Sequence, residues 1–146
     1  MPDPEEWVRP AREELNQIGV QELKTTEEVD KVLTQDKGTV LLVVNSICGC
    51  AAAAARPAVA KALHEGPRPE TVTSVFAGQD LEATERAREY LRPQPPSSPS
   101  VALLRDGKLV FMLHRQQIEG RDADAIAADL RAAFNAYCTP EAGVRE

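Results

Sequence analysis

Thr39-Val40-Leu41-Leu42-Val43-Val44-Asn45-Ser46-Ile47-Cys48-Gly49-Cys50-Ala51-Ala52-Ala53-Ala54-Ala55 is the stretch from which the fold is read. Thr39 to Asn45 is a continuous β-branched and aliphatic run of strand length, as expected of a central strand covered on both faces. The alanines that follow are the strongest helix formers. Between them stand Cys48 and Cys50, one residue apart. A dithiol where a buried strand gives way to a helix predicts thiol chemistry at a helix N-terminus, with Cys48 as the attacking sulfur.

Upstream, residues 5 to 17 have helical composition, with Trp7, Val8, Ala11, Leu15 and Ile18 at near-helical spacing and Pro10 expected to limit the first turn. Val20 to Leu23 predicts a short strand. Thr25 and Glu28 match a capping box ahead of Val29, Val32 and Leu33, opening a second helix expected to end near Gly38. Downstream, Cys50 to His64 favours helix, Pro57 is expected to kink it, and Gly66-Pro67 stops it. Thr71 to Phe76 alternates like a strand, and Asp80 is placed to cap a helix through Leu81, Ala87 and Leu91, with Glu82, Glu85, Arg86 and Arg88 on its other face.

Pro93, Pro95, Pro96 and Pro99 break the pattern between Arg92 and Ser100. Val101 to Leu104 and Lys108 to Leu113 then flank Asp106-Gly107, a strong hairpin signal, and Asp122 caps a last helix reaching about Tyr137. Early strand–helix alternation implies parallel crossovers, and the late hairpin supplies an antiparallel edge. The expected fold class is α/β: a mixed central sheet flanked by helices, thioredoxin-like, with an extra N-terminal helix. The dithiol at the start of the helix after a central strand and the proline directly before the first hairpin strand both fit it. Residues 1–138 are read as one domain and 139–146 as a flexible tail.

A chain of 146 residues is long enough to bury an ordinary core without cross-links or metal. Its 17 basic and 23 acidic residues give a net charge of −6, which repels phosphate backbones and anionic lipid, so neither nucleic acid nor membrane is an expected partner. The opening Met-Pro-Asp-Pro-Glu-Glu-Trp is acidic and lacks the apolar core of a secretory signal, and nothing approaches the roughly 20 apolar residues of a membrane span. A cytoplasmic protein is expected. In that reducing compartment a close cysteine pair reads as redox or metal chemistry rather than as a structural cross-link.

Only the thiolate attacks a disulfide, and an unperturbed cysteine with pKa about 8.5 is mostly protonated at neutral pH. The helix macrodipole contributes about 0.3–1 kcal/mol, less than the roughly 1.4 kcal/mol that one pKa unit requires. Direct hydrogen bonds must supply the rest, from unpaired backbone N–H groups of the first helical turn and from the Cys50 thiol. No Lys, Arg or His lies between Val40 and Ala55, and Arg56 is about two helical turns beyond Cys48, so a cationic activator has to come through tertiary contact. Gly49 tolerates backbone angles forbidden to other residues, which suits the small ring that a Cys48–Cys50 disulfide closes. Such a pair favours transient exchange.

Other readings stand beside this one. The two cysteines are also small buried hydrophobes by type, and they are two ligands of a metal or iron-sulfur site. The further candidates His64, His114 and Cys138 are scattered, so no metal is expected. Pro57 and the alanine tract read as packing features, Cys138 as an inert packed residue, His64 as a helix-end cation and His114 as a strand-surface residue. Pro99 is expected in a cis Ser98-Pro99 bond that exposes backbone to a substrate.

Val44-Asn45-Ser46-Ile47-Cys48-Gly49-Cys50-Ala51-Ala52 followed by Ala55-Arg56-Pro57-Ala58 resembles the signature of the bacilliredoxins. Pro95-Pro96-Ser97-Ser98-Pro99-Ser100, Arg105-Asp106-Gly107-Lys108, Ile118-Glu119-Gly120-Arg121 and Tyr137-Cys138 resemble that family too. The resemblance implies a cytoplasmic enzyme that removes bacillithiol from S-bacillithiolated proteins, with Cys48 taking bacillithiol as a mixed disulfide. Either Cys50 or free bacillithiol resolves that adduct. It further implies Asn45, Gly49, Ser98 and Pro99 as substrate-binding positions, no bound cofactor, bacillithiol as thiol co-substrate, and a bacillithiol disulfide reductase as partner. A general disulfide reductase or isomerase and a non-enzymatic metal carrier remain the alternatives. Against the first, the buried Asp that thioredoxins carry in the preceding strand falls at Leu42.

Overall fold

The computed structural model describes residues 3–34, 37–47, 49–64 and 66–138. The elements run α1 (Glu5–Asn16), β1 (Gln21–Glu22), α2 (Thr26–Leu33), β2 (Thr39–Asn45), α3 (Gly49–His64), β3 (Thr71–Phe76), α4 (Leu81–Glu89), β4 (Ser100–Arg105), β5 (Lys108–Leu113), α5 (Arg115–Ile118) and α6 (Ala123–Tyr137). Five strands form one sheet in the order β1-β3-β2-β4-β5. β2 pairs in parallel with β3 and antiparallel with β4, while β1 joins β3 in parallel and β5 joins β4 antiparallel. Parallel pairing comes from the helical crossovers, and antiparallel pairing from the hairpin.

Every residue of β2 is buried because helices cover both faces. Leu41 and Val43 pack with Ala55, Val59, Ile126 and Leu130 of α3 and α6. Val40, Leu42 and Val44 pack with Val29, Val32, Ala83 and Ala87 of α2 and α4. Full burial of each Val, Leu or Ile side chain among them stabilises the fold by about 1.5–3 kcal/mol. A third, smaller cluster docks α1, where Val8 and Ala11 meet Phe76, with Ile47 packed beside them.

Arg12 fixes that docking. Its side chain is 8% exposed, and its guanidinium donates to Glu5 (2.8 Å), Asp80 (2.9 Å) and Glu22, with its carbon 4.9 Å from the centroid of the Phe76 ring. Asp80 stands at the N-cap of α4 as expected, but its side chain makes no capping bond. A buried guanidinium is the stronger claimant for that carboxylate.

Other elements differ in extent. The strand expected over Val20 to Leu23 is two residues long. α2 ends at Leu33, short of Gly38, after a start in which Thr25 accepts from Glu28 N–H at 3.1 Å. α1 and α3 continue through Pro10 and Pro57. The carbonyls these prolines leave without a helical donor belong to Glu6 and Ala53, both exposed residues. At the hairpin, Asp106 (φ 52°) and Gly107 (φ 82°) both adopt the positive φ that a two-residue turn demands. The Asp122 carboxylate accepts from Ala125 N–H at 2.9 Å and opens α6 as expected.

The expected tail from Thr139 falls outside the described residues. Among the described residues, no helix is long and apolar enough to cross a membrane.

Candidate active site

Val44 is registered against Ser100, so Asn45 and Pro99 leave the sheet at the same end. Asn45, implied as a substrate contact, is turned inward at 3% exposure. Its Nδ2 donates to the Ala11 carbonyl (3.1 Å), and its Oδ1 accepts from Ser46 N–H (2.9 Å) and Arg56 Nη1 (3.2 Å). Both ends of the amide are committed, so this side chain braces the loop rather than meeting a ligand. Arg56 completes the brace by donating to the Ser46 carbonyl (2.6 Å) and pairing with Glu14 (2.8 Å).

Cys48 lies outside the described residues, but its neighbours do not. Ile47 is half-buried, Gly49 is exposed, and Cys50 is an exposed free thiol. Gly49 has φ +64° and donates its N–H to the Ile47 carbonyl at 3.0 Å. That amide is therefore spent. Cys50 and Ala51 carry the first-turn amides that make no backbone hydrogen bond among the described residues.

A Cβ at position 49 would have open space, since its nearest neighbour is Arg115 Nη2 at 4.0 Å. The cost of Gly49→Ala is thus conformational. We expect it to lower stability by roughly 1–2 kcal/mol, the left-handed penalty, in thermal or urea unfolding.

Across the site, the Ser98-Pro99 peptide is cis, and so is Arg92-Pro93. Pro99 is buried and Ser98 half-buried. The loop is held by β5 and α5. His114 Nε2 lies 3.0 Å from Gln94 Oε1 and its Nδ1 3.1 Å from Ser97 Oγ, which also accepts from Arg115 N–H at 3.3 Å. His114 therefore acts as a loop anchor rather than as an idle surface residue. Arg115 Nη1 donates to the Ser98 carbonyl at 2.9 Å, so this acceptor is already engaged before any substrate arrives.

Tertiary contact brings one cation, Arg115, close to Gly49. Its guanidinium stands between the Ser98 carbonyl and the backbone of Gly49, and a salt bridge to Glu119 (3.2 Å) steadies it. Sequence reasoning overlooked it because 66 residues separate Arg115 from Gly49 (115 − 49). The only local signal is the i,i+4 pairing with Glu119, which reads as an ordinary helix-surface pair.

Leu42 is fully buried within the α2 and α4 core. Cys138 closes α6 beside Thr39, at the start of β2, about 20 Å from Asn45 at a strand rise of about 3.3 Å per residue. Burial pushes its thiol pKa up. Among the described residues, no three His, Cys, Asp or Glu are grouped so as to hold a metal ion.

The fold is that of a thioredoxin from Halobacterium salinarum (TM-score 0.56, 17% identity, covering 84% of this chain and 93% of that one). A putative oxidoreductase with a thioredoxin fold superposes similarly (TM-score 0.58, 15% identity, 77% and 94% coverage). Residues 4–138 match the family described as disulphide isomerase. The fold, an exposed thiol in the first turn of α3 and the family to which the sequence belongs together define the class: a thiol–disulfide oxidoreductase. A bacilliredoxin of Salinibacter ruber is 57% identical over 143 residues, 97% of this chain and 84% of the relative. One of Staphylococcus aureus is 52% identical over 131 residues, 90% of each. The chain belongs to the bacilliredoxin family.

Proposed function

We propose that this enzyme removes bacillithiol from S-bacillithiolated client proteins. The observation that carries the reading is the exposed Cys50 thiol one residue beyond the left-handed Gly49, on the turn where a buried strand enters a helix. In the first step the Cys48 thiolate attacks the bacillithiol sulfur of the client disulfide. The client sulfur leaves as a thiolate and takes up a proton, and bacillithiol is joined to Cys48.

In the second step the Cys50 thiolate attacks Cys48 Sγ, expelling bacillithiol as a thiol and leaving the Cys48–Cys50 disulfide. The two electrons that reduced the client have come from the enzyme dithiol. Two molecules of bacillithiol restore it and leave as their disulfide, which a bacillithiol disulfide reductase returns to thiol. Electrons pass through sulfur throughout, so the scheme calls for no bound cofactor.

General reduction of protein disulfides is the less favoured reading, because Leu42 fills the position where a buried proton acceptor would assist the resolving thiol. Cytoplasmic location follows from the proposed chemistry, which needs a reducing thiol pool.

The reduced protein incubated with a bacillithiolated client is expected to release free client thiol. Cys50→Ser should complete the first step and accumulate a bacillithiol adduct that peptide mapping assigns to Cys48. No client thiol from the native enzyme, or an adduct elsewhere, overturns the assignment.

A further inference from the structure

The Arg115 guanidinium is not saturated by its partners among the described residues. Nε and Nη2 both donate to a single Glu119 oxygen, at 3.3 and 3.2 Å, and Nη1 donates to the Ser98 carbonyl. Five N–H groups project from a guanidinium. One on each terminal nitrogen therefore remains, and among the described residues none accepts from it. Nη2 is the atom nearest the Cβ position of Gly49.

The paired terminal nitrogens match the two oxygens of a carboxylate. Arg56, the other arginine at this loop, holds Asn45, Ser46 and Glu14 through Nε and Nη1 and is only 13% exposed, whereas the Arg115 side chain is 32% exposed. Glu119 is itself 57% exposed and holds Arg115 through one oxygen, so it competes with a ligand without sealing the guanidinium off.

We infer that Arg115 is a specificity residue that binds a carboxylate carried close to the disulfide sulfur of the substrate, so that the enzyme selects anionic thiol caps over neutral ones. This rests on the cap-removal reading above. It adds that the cap is recognised by charge as well as by its sulfur, and that Glu119 sets how strongly.

The test uses one neutral client peptide whose cysteine is capped either with mercaptosuccinate or with 2-mercaptoethanol, and reads the ratio of the two kcat/KM values. The native enzyme is expected to favour the mercaptosuccinate cap by about tenfold, as hydrogen bonds to a charged group provide. Arg115→Gln should bring the ratio to within about twofold of one, and Glu119→Gln should raise it above the native value.

A third peptide, with Asp beside a 2-mercaptoethanol-capped cysteine, distinguishes the source. A preference appearing only there places the carboxylate on the client and overturns selection among caps. A native ratio near one for both carboxylate-bearing peptides overturns the inference. So does an Arg115→Gln enzyme that slows every cap by the same factor, which would make the residue a prop for the Ser98 loop. Failure to release the client thiol from a bacillithiolated client would instead sink the cap-removal reading, so the two failures are separable.

Discussion

Cys48→Ser is expected to abolish release of client thiol, lowering kcat/KM for a bacillithiolated client by at least about a thousandfold. A serine hydroxyl has roughly the shape of the thiol but stays protonated at neutral pH and is a weak nucleophile without an adjacent base. Folding should survive the change, because the Asn45 amide and the Arg56 guanidinium brace the loop through the Ala11 and Ser46 carbonyls. Rapid-mixing assays of client thiol release, beside a thermal melt, give both numbers. Activity within tenfold of native in a folded Cys48→Ser protein would move the nucleophile to Cys50, the exposed thiol. Cys50→Ser should differ in kind, losing turnover while keeping the first chemical step.

Arg12→Ala should be the most damaging change to stability, by about 3 kcal/mol or roughly 10 °C in Tm. The guanidinium gathers Glu5 from α1, Glu22 from β1 and Asp80 from the start of α4, three segments that otherwise meet only through small contacts. Removing it leaves partly buried carboxylates facing one another and strips the cover from Phe76. Arg12→Lys, with one ammonium in place of a planar fork, is expected to recover only part of the loss. A melt within about 2 °C of native for Arg12→Ala would show the cluster to be passive. The effect should also reach the site, because Ala11, one residue away, supplies the carbonyl that holds the Asn45 amide.

What could be read from the residues was whatever is local or periodic. The apolar run of β2 announced a strand buried on both faces, Asp106-Gly107 announced the hairpin, and Asp122 announced the start of α6. Each is decided within a few residues of itself. The failures share the opposite property. Asp80 was read as a cap because capping is local, and lost that bond to an arginine 68 positions earlier in the chain.

Asn45 lay in a stretch rich in chemistry and was assigned to the substrate, yet buried hydrogen-bonding capacity claimed it. α5 is four residues long, too short to display a helical period. Arg115 and His114 carry no motif at all, and only the packing of α5 against the loop before β4 gives them work.

The registers of β2 have a consequence for the chain as it emerges from the ribosome. β2 and α3 are made early, but β2 waits for residues 71 to 76 on one side and 100 to 105 on the other. The loop before β4, with the arginine that spans from it to Gly49, comes later still. The cysteine pair therefore leaves the ribosome with the helix that follows it but without the β4 loop and its arginine. A product truncated before residue 115 carries both cysteines without the arginine that reaches toward Gly49.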